Sequence, residues 1–221
     1  MRQTLIHLSI PICLSVCLVL LSCANITHAA SSDGPVVVTI KPLYSLVAQL
    51  TEGIEEPVLL IKQMPSPHHY NMRPSERRRL SDARVIVWIG PQMETSLSKI
   101  ISQQDALIIT AMQAEGIERL ERRSKHGHQH TADEASHSEM NTDPHIWLSI
   151  KNAIAISKHV SRQLISSDPE NSARYQRNLQ QLLNRISQLS LKIEDDLQGN
   201  RKPYITYHDA YQYFEAEHAL N

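Results

Sequence analysis

Hydrophobic residues fall into short unbroken runs in the first half of the chain and into a helical rhythm in the second. Val36-Val37-Val38-Thr39-Ile40, Val58-Leu59-Leu60-Ile61, Arg84-Val85-Ile86-Val87-Trp88-Ile89 and Ala106-Leu107-Ile108-Ile109 are short, apolar and mostly β-branched. Such runs predict strands covered on both faces. Between them, Pro42 opens a helix through about Leu50, since proline is tolerated where a helix's first N–H has no partner anyway. Pro74 opens another, carrying Arg77, Arg78 and Arg79 on its surface, and residues 95–103 read as a third. Strands alternating with helices predict an α/β fold, a parallel sheet with helices on both faces.

Residues 121–143, ERRSKHGHQHTADEASHSEMNTD, hold almost no apolar side chain. They cannot bury enough surface to offset their ordering entropy, so they read as a loosely held loop. A helix follows from about Ile150 to Ile165. Leu179, Leu182, Leu183, Ile186, Leu189, Ile193 and Leu197 then recur at helical spacing, predicting a long helix from Pro169 to about Gln198, with Asp168 as N-cap and Gly199 as stop. At about 1.5 Å per residue this is a rod of roughly 45 Å. A coiled-coil partner helix is the other reading, but the spacing is no sustained heptad, which favours a strut within the chain. Tyr204 to His208 reads as a new strand, and Tyr211 to Glu217 as a short helix. The expected organisation is an N-terminal α/β lobe over 35–149, linking helices over 150–199, and the start of a C-terminal lobe over 203–221. That last stretch falls short of the 50 or so residues a domain normally needs, so the second lobe is expected to be incomplete.

The first thirty residues bear on location. Arg2 is their only charge, an apolar stretch runs from Leu5 to Leu21 with Pro11 inside it, and the exit is small and polar. This is the order of a cleavable signal peptide over 1–29, with Thr27-x-Ala29 suiting the cut. Leu20-Leu21-Ser22-Cys23 resembles a lipobox, so a lipidated Cys23 is the second reading. A membrane anchor is the third, and would need about 20 uninterrupted apolar residues. All three cysteines lie in this leader. After cleavage at Ala29 no disulfide and no thiolate ligand remain, so a metal site must use nitrogen and oxygen. Losing Arg2 moves the net charge only from −1 to −2, which gives no electrostatic footprint for nucleic acid.

Ten of the twelve histidines lie beyond the leader. Three sit where strands run into loops: His68, His145 and His208. In open α/β sheets ligands collect at the carboxyl ends of strands. Neutral imidazole is a common zinc ligand, and three of them leave a position for a carboxylate or water. The separations of 77 and 63 residues are unlike a zinc finger. From spacing alone, each histidine reads equally as a surface residue.

Four motifs in order add to this. Ser66-Pro67-His68-x-Tyr70 with Arg73-Pro74-Ser75, Val87-Trp88-Ile89-Gly90-Pro91, Asp143-Pro144-His145-Ile146-Trp147-Leu148, and His208-Asp209-Ala210-Tyr211-x-Tyr213-Phe214 together resemble the periplasmic zinc-binding receptors of bacterial ABC importers. The resemblance implies two α/β lobes joined by a long rigid helix, with the metal held between them. It implies His68, His145 and His208 as the metal-binding residues, Zn2+ as cargo, a periplasmic location, and a monomer that passes zinc to the membrane permease and catalyses no reaction. It also implies weak zinc collection by the loop histidines His126, His128, His130 and His137. Three departures stand out. His69 occupies a position where an acid or another polar residue is usual. It reads as a bystander, because adjacent side chains on an extended segment point apart. Ser149-Ile150 replaces an Asp-Pro and is expected to loosen the start of the following helix. A fourth, carboxylate ligand from further along the second lobe has no counterpart in this chain.

A receptor for manganese or another divalent metal is the nearest alternative. There a carboxylate would be expected where His208 stands, and imidazole favours zinc. A metal-binding surface adhesin is another. A zinc hydrolase fits three histidines plus water, but the sequence has no H-E-x-x-H helix.

Overall fold

The four apolar runs pair as parallel strands: β1 (Val36–Val38), β2 (Val58–Leu59), β3 (Val85–Trp88) and β4 (Leu107–Thr110). The computed structural model, which describes residues 34–62, 70–123, 141–199 and 202–220, orders them β2-β1-β3-β4. Val37 lies between Val58 and Ile86, and Val87 pairs with both Val38 and Ile109. The three valines of β1 are fully buried, as expected for a strand with both faces covered. Residues 1–33, 63–69 and 124–140 lie outside the described residues, so the expected signal peptide, His68, His69 and the loop histidines do too.

Three helices form one packed layer. α1 (Lys41–Leu50) buries Leu43, Val47 and Leu50, one stripe at helical spacing. α4 (Ile150–Ser167) buries Ala153, Ile156, Val160 and Leu164, and α5 (Ser172–Leu197) buries Tyr175, Asn178, Leu182 and Ile186. The three pack against one another. Each buried Leu or Ile contributes about 1.5–3 kcal/mol. Asn178 is the polar member of the stripe. Its amide donates to the carbonyls of Leu50 and Glu52 at 2.8 and 2.9 Å, satisfying groups left open where α1 ends. α2 (Pro74–Ser81) and the short α3 (Ser98–Ile101), the latter preceded by a 3-10 turn over Thr95–Leu97, fill the β2–β3 and β3–β4 crossovers. The order steps one way from β1 to β2 and the other way from β2 to β3 and β4. Right-handed crossovers therefore put α1 on one face of the sheet and α2 and α3 on the other.

Four expectations need correction. The long helix is α-helical only from Ser172, after a 3-10 turn over Pro169–Asn171. Asp168 does not cap backbone N–H groups; its Oδ2 accepts from Asn171 Nδ2 at 2.9 Å and Tyr175 Oη at 3.1 Å. Ser149 does not loosen α4 but caps it, its hydroxyl accepting from the Asn152 N–H at 3.2 Å. Residues 204–207 form no strand among the described residues, and Ile205 and Tyr207 are almost wholly exposed. Their β-propensity finds no neighbouring strand to pair with, and propensity without a partner makes no sheet. The predicted helix at the end is present as α6 (Gln212–His218).

Candidate metal-binding cleft

Where the chain leaves β1 for one side of the sheet and β3 for the other, a crevice opens at the carboxyl ends of the strands. Glu94, in the segment that follows β3, is fully buried. Its Oε1 accepts from Thr39 Oγ1 at 2.5 Å and from Ile89 N at 3.3 Å, and its Oε2 accepts from Gly90 N at 3.1 Å, so it ties the ends of β1 and β3 together. Burial pushes its carboxyl up to about 7, against the opposing pull of those donors. Gly90 has φ of +142°, and a Cβ there would stand 2.8 Å from Gln92 Oε1; only glycine makes this turn without strain.

A cleft of about 870 Å3 is bordered by Asn71, Gln92, Arg123, Asp143, His145 and His208 among others. His145 sits on the turn leading into a 3-10 helix over Ile146–Leu148 and is only 6% exposed. Asp143 holds it twice. Asp143 Oδ1 accepts from the His145 backbone N–H at 3.0 Å and lies 2.7 Å from His145 Nδ1. A carboxylate can only accept there, so Nδ1 carries a proton, and in the neutral ring Nε2 is then the nitrogen with the free lone pair. Trp147 closes the other side of the ring, edge-on at 5.4 Å between centroids.

His208 reaches the same point from the other end of the chain. Its Nε2 lies 3.2 Å from His145 Nε2. Two nitrogen ligands on one tetrahedral zinc, with Zn–N bonds of about 2.0–2.1 Å, lie roughly 3.3 Å apart. The spacing of the two rings is thus already that of a ligand pair. Tyr213 on α6 anchors this side. Its buried hydroxyl donates to the Asp143 carbonyl at 2.8 Å and accepts from the Leu120 N–H at 3.0 Å. Burial raises that hydroxyl to about 12, which keeps its proton in place.

Of the three histidines predicted together, the structure brings His145 and His208 into contact, and His68 lies outside the described residues. Asn71 and Tyr70, which follow shortly after it, border the cleft. Among the described residues no group of three His, Cys, Asp or Glu converges to hold a metal. The sequence reading gave Asp143 no role, although an aspartate two residues before a histidine is a local signal for such a pair. Tyr213 stood in a quoted motif and Arg123 in none, and the partners of neither were legible, because their contacts join positions 70 to 93 residues apart.

Sheet order, crevice and paired imidazoles together define the α/β fold of the two-lobed metal receptors. Similar solved structures include a zinc-bound 138–173 deletion mutant of ZnuA, with a TM-score of 0.72, 24% identity, and coverage of 85% of this chain and 67% of that one. The metal-dependent lipoprotein YcdH of Bacillus subtilis is also similar, with a TM-score of 0.67, 26% identity, and coverage of 85% and 65%. The chain belongs to the family described as zinc-uptake complex component A, periplasmic, which matches residues 36–221. It is 32% identical over 211 residues to the high-affinity zinc uptake system protein ZnuA of Brucella abortus (strain 2308), covering 81% of this chain. The chain spans 63% of the length of that relative.

Proposed function

We propose that this chain is a periplasmic receptor that captures Zn2+ between His145 and His208, with His68 as third ligand, and delivers it to the membrane permease of an ABC importer. The observation that carries the proposal is the 3.2 Å approach of the two Nε2 atoms, one of them held in the ligating tautomer by Asp143. Relatives named for high-affinity zinc uptake support the choice of zinc, as does a nitrogen-rich ligand set. Binding and release are the whole task, so the chain acts as a receptor and not as an enzyme. The loop histidines His126, His128, His130 and His137 act as weaker collectors, in a tract whose sequence is almost without apolar side chains.

The test is a competitive zinc titration against a chromophoric chelator. His145→Ala, His208→Ala and His68→Ala should each cost far more affinity than deletion of residues 126–137. His208→Glu exchanges a nitrogen for a hard oxygen ligand and should narrow the preference for zinc over manganese, with zinc still the tighter binder. Unchanged affinity in His208→Ala, with loss on loop deletion, would move the binding site to the loop.

A further inference from the structure

His208 stands on a stretch with no secondary structure of its own, residues 202–211, and is itself exposed. Burial reaches only Ala210 in this stretch, and the large apolar side chains flanking His208 on its N-terminal side, Ile205 and Tyr207, lie in solvent. Something else must keep its ring 3.2 Å from His145.

Arg123 is placed to do so. Its Nη1 lies 3.3 Å from Asp209 Oδ1, on the residue next to His208, and its Nη2 contacts Glu215 Oε2 on α6. The other oxygen of Glu215 accepts from Tyr204 Oη at 2.8 Å. One guanidinium thus governs the stretch before, beside and after His208. Arg123 is tied in turn to the cleft wall. Its neighbour Arg122 donates to the carbonyls of Gln92 and Thr142 at 2.7 and 3.2 Å, and Gln212 donates to the Glu121 carbonyl at 3.0 Å. A single exposed ion pair holds little. Here a planar fork engages two carboxylates at once, and Glu215 is only 14% exposed, which a lysine ammonium could not reproduce.

We infer that Arg123 is a positioning residue, its guanidinium forked between Asp209 and Glu215 so as to seat the His208-bearing stretch against the His145 wall of the cleft. The consequence for metal rests on the zinc reading above; the seating itself does not.

The experiment has two arms. In the metal-free protein, hydrogen exchange of residues 203–209 should be faster in Arg123→Ala than in wild type. In the metal arm, Arg123→Ala should weaken zinc binding roughly 10- to 100-fold, the usual loss on removing a group that orients a ligand, with Arg123→Lys in between. Its Co2+ absorption spectrum should shift toward that of His208→Ala, which a general loosening of the fold would not produce. If Arg123→Ala folds poorly, Arg123→Lys and Glu215→Gln carry the same comparison. Unchanged exchange together with unchanged zinc affinity in Arg123→Ala would overturn the inference. If His208→Ala itself leaves zinc affinity intact, the zinc reading fails, and the exchange arm still decides what Arg123 does.

Discussion

Asp143 puts one carboxylate oxygen on two donors of the same histidine, which makes it the most direct single-residue test of the cleft. Asp143→Ala frees the ring to rotate or change tautomer and removes the negative charge that strengthens Nε2 as a donor to metal. Zinc affinity should fall roughly 10- to 100-fold by competitive titration. Asp143→Asn, which can still accept from Nδ1–H but carries no charge, should fall less. Glu94 offers a second test, in the fold instead of the site. Its folded value of about 7 lies above the ordinary 4.5, so the folded protein holds this proton more tightly than the unfolded chain. The resulting stabilisation is fully present below about pH 4.5 and is lost as pH rises through about 7. Its full size is on the order of 3 kcal/mol. Glu94→Gln has no such slope. The melting temperature of the variant minus that of wild type should therefore grow more positive from pH 5 to 8; a difference that stays flat would mean Glu94 does not titrate there. At this scale the sequence disclosed what is local and hid what is not. Asp143 and His145 are two positions apart and could be read as a pair, whereas Thr39 and Glu94 meet only because β1 and β3 are neighbours in the sheet.

At the level of elements the apolar runs were legible because both faces of the sheet are covered, so nearly every position in a strand is hydrophobic, Thr110 at the end of β4 being polar. Helix stripes were legible for the same reason, one face at a time. Two things were not. The turn over Pro169–Asn171 that precedes the long helix takes 3-10 geometry, a choice among helix types that periodicity does not register. Residues 204–207 have the composition of a strand, but a strand is a property of two segments, and among the described residues no second segment pairs with them. The cap of α4 is the element-scale feature open to measurement. Ser149 is 2% exposed and its hydroxyl is the acceptor for the Asn152 N–H. Ser149→Ala should destabilise the protein by about 1 kcal/mol in urea unfolding, with Ser149→Asp close to neutral. Since this cap lies four residues after His145, Ser149→Ala should also weaken zinc binding slightly, and less than Asp143→Ala does.

The molecule as a whole joins a well-packed sheet and helix layer to a C-terminal stretch that meets it across the cleft. Ile205 and Tyr207 of that stretch are exposed, while Tyr213 is buried and hydrogen-bonded to the backbone of Leu120 and Asp143. The stretch is therefore held at a few points and not by a core of its own. A zinc ion gripped by His145 on one side and His208 on the other would add a further point, and the strongest one. Any ligand that binds only the folded form stabilises it by an amount set by its concentration over Kd, about 2.7 kcal/mol at a hundredfold excess over Kd. Zinc should accordingly raise the melting temperature of the wild type. The rise should shrink as pH is lowered from 7.5 to 5.5, because protons compete with the metal for imidazole nitrogen. In His208→Ala the metal-free melting temperature should stay near that of wild type, since the side chain is exposed and outside the core, while most of the zinc-induced rise disappears. Thermal denaturation of both proteins with and without zinc, at both pH values, checks this. A zinc-induced rise of the same size in His208→Ala would show that the ion does not bridge the cleft.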